Sequence, residues 1–178
     1  MFKRLWKDEK GLTLIELLAV VVILGIIAAI AVPSIGGLID NTKKDAHVAN
    51  AQQMINSAKI WVTGNAENDD FDSDNEATLT LQQLYDKNLI DPMKDPDSGI
   101  VAEFKDNDWD DSNTYDVGDS KVVIKKDGVR FSYSVLLKGS AKKVAEDGDT
   151  PVAENALKRE IVKAVTPPTD NTDENNEG

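Results

Sequence analysis

Residues 17–32, LLAVVVILGIIAAIAV, are sixteen successive positions without a polar side chain. Extended back to Leu12, the segment has 21 residues, interrupted only by Thr13 and Glu16. As an α-helix it spans about 32 Å at ~1.5 Å per residue, matching the ~30 Å hydrocarbon core of a bilayer. A helix that lines the core of a water-soluble domain keeps polar residues on one face. This one keeps none for sixteen positions, so it reads as a membrane-inserted helix.

The rest of the chain is of a different kind. The 178 residues hold 20 Lys+Arg against 32 Asp+Glu, a net charge of −12. The first forty residues contain four of each sign, so residues 41–178 carry the whole excess, with 16 basic and 28 acidic residues. Such acidity disfavours direct nucleic-acid binding, which needs Lys and Arg against phosphate. The absence of cysteine excludes disulfides, thiolate metal sites and cysteine nucleophiles. One histidine, His47, argues against a His-based zinc centre or a Ser-His-Asp triad. No carboxylate pair stands in a recognisable catalytic setting, so neither an enzyme nor a cofactor is expected.

After Pro33 come the weak helix formers Ser34, Gly36 and Gly37. The sequence then turns amphipathic. Val48, Ala51, Ile55, Ala58 and Val62 recur at 3-4-3-4 spacing, widened by Met54 and Trp61. One long helix is expected from about residue 12 to 62, softened at Gly25, Pro33, Gly36 and Gly37. Residues 65–76 read as an acidic loop. Thr80 and Gln83 form a T-x-x-Q capping box for a short helix with Leu81, Leu84 and Tyr85 on one face, closed by Asn88 in a left-handed cap. Residues 100–104 (IVAEF) read as a strand. Residues 121–137 read as a hairpin with a type I′ turn at Asp127-Gly128, pairing Ile124 with Phe131 and Val122 with Tyr133. Residues 151–165 read as a last helix capped by Thr150, with a strand at 160–165 as the alternative. Residues 166–178 read as a disordered acidic tail. The fold class is α+β, a long N-terminal helix on a small antiparallel sheet.

The segment KGLTLIELLAVVVILGIIAAIAVPSIGGLID resembles the class III signal peptide of type IV pilins and pseudopilins. A short basic leader ends in Gly11, an apolar Leu12 follows, and Glu16 is the fifth residue after the glycine. The apolar run and Pro33 come next. Residues 78–99, TLTLQQLYDKNLIDPMKDPDSG, are similar to the helix and "dP.tG" stretch of Gram-positive competence-type and major pilins. The resemblance implies cleavage between Gly11 and Leu12 by a prepilin peptidase, with methylation of the new N-terminus at Leu12. It implies that Glu16 pairs with the N-terminal amine of a neighbouring subunit during assembly. It further implies other pilin subunits, a membrane assembly platform and its ATPase as partners, with lipid around the helix beforehand. Localisation would pass from the cytoplasmic membrane to a surface filament. The implied layout is a leader at 1–11, a transmembrane and filament-core helix at 12–34, its amphipathic continuation at 35–62, a soluble head at 63–165 and the tail at 166–178. Cleavage would leave 167 residues with 16 basic and 30 acidic side chains, a charge of −14.

Other readings stay open at this level. A competence or secretion pseudopilin has the same signature. A signal-anchor protein displaying an acidic binding domain would explain the leader and the apolar run. A secretory signal peptide would be cut after Ala29-Ile30-Ala31, but it would not contain Glu16. Asp70, Asp72 and Asp74, like Asp106, Asp108 and Asp110, have the opening spacing of a calcium loop. They lack its glycine at Asn75 or Asp111 and its closing glutamate at Leu81 or Val117. They are read as solvated loops. His47 is read as an exposed helix residue, Trp109 as a buried anchor, and Lys142-Lys143 as a small basic spot.

Overall fold

The computed structural model describes residues 13–65, 71–106 and 108–165. The leader with Gly11 and Leu12, Asp70 and the 166–178 tail lie outside the described residues. Helix α1 is Leu14–Asn65 and includes Pro33. The chain divides into two units between Asp40 and Asn41.

In the first unit, the Leu, Val and Ile side chains of α1 are exposed from Leu14 to Ile39. Among the described residues nothing covers them, and the helix is long and apolar enough to cross a membrane. Gly25, Pro33, Gly36 and Gly37 all lie in helical conformation. Pro33 has no N–H to offer the carbonyl of Ala29, so one rung of the helix is missing there.

In the second unit, α1 buries Ala51, Met54, Ile55, Ala58, Trp61 and Val62, the stripe that the spacing predicts. The stripe packs in one core with a six-stranded antiparallel sheet. Its strands are β1 (Glu76–Thr80), β4 (Lys121–Asp127), β5 (Arg130–Lys138), β6 (Lys142–Val144), β7 (Val152–Ala153) and β8 (Val162–Ala164). The order is β1-β4-β5-β6-β8, with β7 also against β5. Helix α2 (Leu81–Asp86) follows β1, and β2 (Glu103–Lys105) pairs with β3 (Asp108–Asp110) in a separate two-stranded ribbon. The α+β layout is the one expected. Each fully buried Ile, Leu or Met in this core contributes about 1.5–3 kcal/mol.

The short helix begins as its sequence dictates. Gln83 N–H donates to Thr80 Oγ1 at 3.2 Å, and Thr80 N–H donates to Gln83 Oε1 at 3.0 Å. Asn88 takes φ +53° and ends it, donating its N–H to the Tyr85 carbonyl at 2.9 Å.

Four expectations are corrected. The hairpin turns at Gly128-Val129, because Asp127 pairs with Arg130. Gly128 has φ +60° and Val129 does not share the positive sign, the pattern of a type II′ turn. A type I′ turn at Asp127-Gly128 would force a positive φ on Asp127 as well. The register moves by two residues, so Ile124 faces Tyr133 and Val122 faces Val135. A shift of two preserves the faces, so the apolar side of the hairpin is the expected one.

The second correction is at the C-terminus, which forms β7, two 3-10 turns and β8 where a helix was expected. The edges of β5 and β6 need hydrogen-bond partners, and Val152 and Val162 fill core positions as they pair there. The strand alternative at 160–165 is the one that holds. Third, residues 100–104 yield only the start of β2 at Glu103, while Val101 makes an isolated bridge to Lys94. Fourth, the loop read at 65–76 stops short of a strand, β1, whose Ala77 and Leu79 point into the core.

Candidate functional site

Two groups of residues stand apart from the ordinary core. The first is the opening turn of α1. Glu16 Oε2 accepts from Thr13 N–H and from Thr13 Oγ1, both at 2.8 Å, and Glu16 N–H donates to Thr13 Oγ1 at 3.3 Å. This is a reciprocal capping box, T-x-x-E, directly before an apolar run. The sequence carries that signal in Thr13 and Glu16 at T-x-x-E spacing, beside the partner that the resemblance implies for the carboxylate. The acid therefore sits at the positive end of a helix with two local donors, which lowers the cost of placing it among apolar residues. Glu16 belongs to the first turn, Gly25 and Pro33 to the middle of the apolar stretch, and Gly36 and Gly37 to its end. A Cβ at any of these three glycines would meet nothing within 4 Å. Packing within the chain therefore does not require glycine there.

A family profile described as "Prokaryotic N-terminal methylation motif" matches residues 6–32. The chain carries the class III signal of type IV pilins. With the uncovered apolar helix, the motif supports a pilin-like or pseudopilin precursor anchored in a membrane. It implies processing by a prepilin peptidase and assembly with other pilin subunits. No curated protein and no solved structure matches the chain significantly.

The second group is centred on α1 residue His47, whose expected exposure it corrects, since the side chain is fully buried. Its Nε2 stands 3.0 Å from Asp97 Oδ2, and its Nδ1 stands 2.9 Å from the Tyr115 hydroxyl. Asn50 Nδ2 donates to that hydroxyl at 2.8 Å. The tyrosine proton is then free for Nδ1, and the Nε2–H donates to Asp97. Lys142 Nζ donates to Asp97 Oδ1 at 2.7 Å. Asp95, also fully buried, accepts from Asp97 N–H at 2.8 Å and from Ser140 N–H at 2.7 Å. The Asp95–Gly99 loop is thereby tied to α1 on one side and to the β5–β6 turn on the other. Helical periodicity could not flag His47, because its partners come from 50 and 68 residues away.

Electrostatics match this geometry. Burial pushes the Asp97 carboxyl up, but hydrogen bonds from Lys142 and His47, with the charge of Lys142, together outweigh it and hold the group below its ordinary value. Burial pushes the Tyr85 hydroxyl up to about 12 and raises Tyr115 well beyond the usual range. Ligand atoms of His47, Asp95 and Asp97 lie within 4.8 Å of one another, close enough to share a small cation. Both Asp97 oxygens and both Asp95 oxygens already receive protein hydrogen bonds. The cluster works as a clamp with its own cation, Lys142.

Packing around the clamp is tight at Gly139. A Cβ there would stand 2.8 Å from the Lys142 carbonyl oxygen and 2.9 Å from Asp95 Oδ2. Gly139→Ala is expected to cost about 1–3 kcal/mol through this overlap. Urea unfolding of the detergent-solubilised chain measures it, and Gly118→Ala, whose nearest atom would be 3.7 Å away, is the tolerant control.

The acidic loops use their carboxylates as local caps. Asp72 Oδ1 accepts from Asp74 and Glu76 N–H groups, both at 2.9 Å, and Asp110 Oδ1 from Ser112 N–H at 3.1 Å. Trp109 is half-buried, with its ring 4.9 Å from Tyr85 and its Nε1 donating to Asp86 at 2.9 Å. Lys142 and Lys143 form no open basic spot, since they engage Asp97 and Asp149.

Proposed function

We propose that the chain is a structural subunit of a type IV pilus-like filament. It is made as a membrane-anchored prepilin, cut between Gly11 and Leu12, methylated at Leu12 and then assembled. The observation that carries this reading is one carboxylate, Glu16, in the first turn of a helical stretch that is otherwise apolar and uncovered through Val32. A bare carboxylate in a bilayer costs about 2.5–3.5 kcal/mol on insertion scales. Thr13 holds Glu16 until assembly, when the α-amine of a neighbouring subunit replaces it and sets the axial register. The apolar helices then bury one another in the filament core, with Gly25, Pro33, Gly36 and Gly37 giving the helix local compliance. The head, beyond residue 62, faces outward.

N-terminal sequencing with intact mass tests the processing. The expected product starts at methylated Leu12 and contains 167 residues. A start at Val32 would identify a secretory signal peptide and defeat the proposal. An uncut chain in membranes would point to an anchored binding protein. A competence or secretion pseudopilin shares the processing and is distinguished by a short filament that does not reach the cell surface.

A further inference from the structure

Resting on the filament reading, we infer that the heads contact one another head to tail. The tip of the β4–β5 hairpin on one copy docks on the β2–β3 ribbon of the next.

The two surfaces carry opposite charge. Residues 125–130, the hairpin tip, contain Lys125, Lys126 and Arg130 against one acid, within a region that has 16 basic and 28 acidic residues. Residues 103–111 contain five acids against Lys105, which is itself engaged by Glu103 at 2.6 Å. Each surface also leaves an apolar side chain in solvent. Val129 at the hairpin tip is 94% exposed, and Phe104 on the ribbon is 59% exposed. An apolar contact ringed by complementary charge is the usual composition of a specific interface.

The two surfaces also lie at opposite ends of the head. The hairpin tip sits where α1 ends, because Phe71 packs between Trp61 and Phe131 with ring centroids 6.2 and 6.0 Å away. The ribbon sits toward the other end. Trp109 stacks on Tyr85, Tyr85 accepts from Met93 N–H at 3.0 Å, and neighbouring Lys94 accepts from Asn50 at 3.1 Å. Strand β1 alone, with Lys125 opposite Glu76 and Lys121 opposite Thr80, separates the ends by about 13 Å at ~3.3 Å per residue. Tip against tip or ribbon against ribbon would set like charges together. Tip against ribbon does not, and a contact between different patches at opposite ends repeats without closing.

Charge reversal and its rescue test the contact in the full chain. Lys125→Glu with Arg130→Glu is expected to lower sheared filament yield about tenfold, with processing and membrane level unchanged. Adding Asp108→Lys and Asp110→Lys is expected to restore most of it. The cysteine-free sequence offers a gentler probe: Val129→Cys with Phe104→Cys should give a disulfide-linked ladder in oxidised filaments, and each single variant no ladder. Undiminished filaments in the reversed variant, or no ladder in the cysteine pair, would overturn this contact and leave the filament reading standing. A wild-type chain that makes no filaments overturns both.

Discussion

Asp97→Ala is expected to cost the head on the order of 3–5 kcal/mol, the range for removing one partner from a buried, hydrogen-bonded charge pair. The Asp97 side chain is 8% exposed and that of Lys142 is 17% exposed, so water replaces little of what is lost. His47 and Lys142 would both face a vacant site, and the Asp95–Gly99 loop would lose its link to α1. Urea unfolding of the detergent-solubilised chain, followed by near-ultraviolet circular dichroism, gives the value. A loss below about 1 kcal/mol would place the clamp among ordinary surface ion pairs. Asp45→Ala is the comparison, since the Asp45–Arg159 pair is half-exposed on both sides and its loss should matter far less. The same clamp sets a direction with pH. Asp97, Asp149 and Glu154 are all held below their ordinary values of 3.8, 3.8 and 4.5. Their contribution is complete above those values and disappears as the pH falls through the lower folded ones. Head stability should therefore decline below about pH 4, and Asp97→Ala should flatten that decline.

Glu16→Ala is expected to leave the protein processed and in the membrane but to reduce sheared filaments about a hundredfold or more. The scale follows from the ~2.5–3.5 kcal/mol that a lone charge costs in a bilayer, at 1.4 kcal/mol per factor of ten. Without the carboxylate, the incoming subunit's amine has no partner, and neither register nor neutralisation is achieved. Thr13→Val should act in the opposite place. It removes the Oγ1 donor and leaves the carboxylate, so membrane insertion should suffer more than filament growth. Filament yields that stay at wild-type level with Glu16→Ala would defeat the proposed role of Glu16.

What could be read from the sequence was what depends on near neighbours. The apolar run, the 48–62 stripe, the Thr80–Gln83 box and the left-handed Asn88 all rest on residues within one or two turns. The hairpin faces were legible because alternation survives a register shift of two, whereas the register itself hung on which dipeptide supplies the positive φ. The last segment misled because Ala153, Leu157, Ile161 and Ala164 happen to fall at helical spacing. The open edges of β5 and β6, which no local window contains, decide its conformation. His47 was missed for the same reason. The Thr13–Glu16 box is a different case, since its signal was local and was overlooked beside the charge itself.

The closing of the sheet by β7 and β8 fixes an order of events in time. Gln52 and Lys59 of α1 reach Glu154 across 102 and 95 residues, and Arg159 reaches Asp45 across 114. Loops of that length close late and at an entropic cost, and contacts of such long range slow folding. As the chain emerges N-terminus first, α1 and the central hairpin exist well before Val152 and Val162 arrive to complete the core. Through that interval β5 and β6 present bare edges, the kind of surface that pairs with the wrong neighbour. The last strands therefore act as a latch whose arrival time sets how long each new chain is exposed to mispairing.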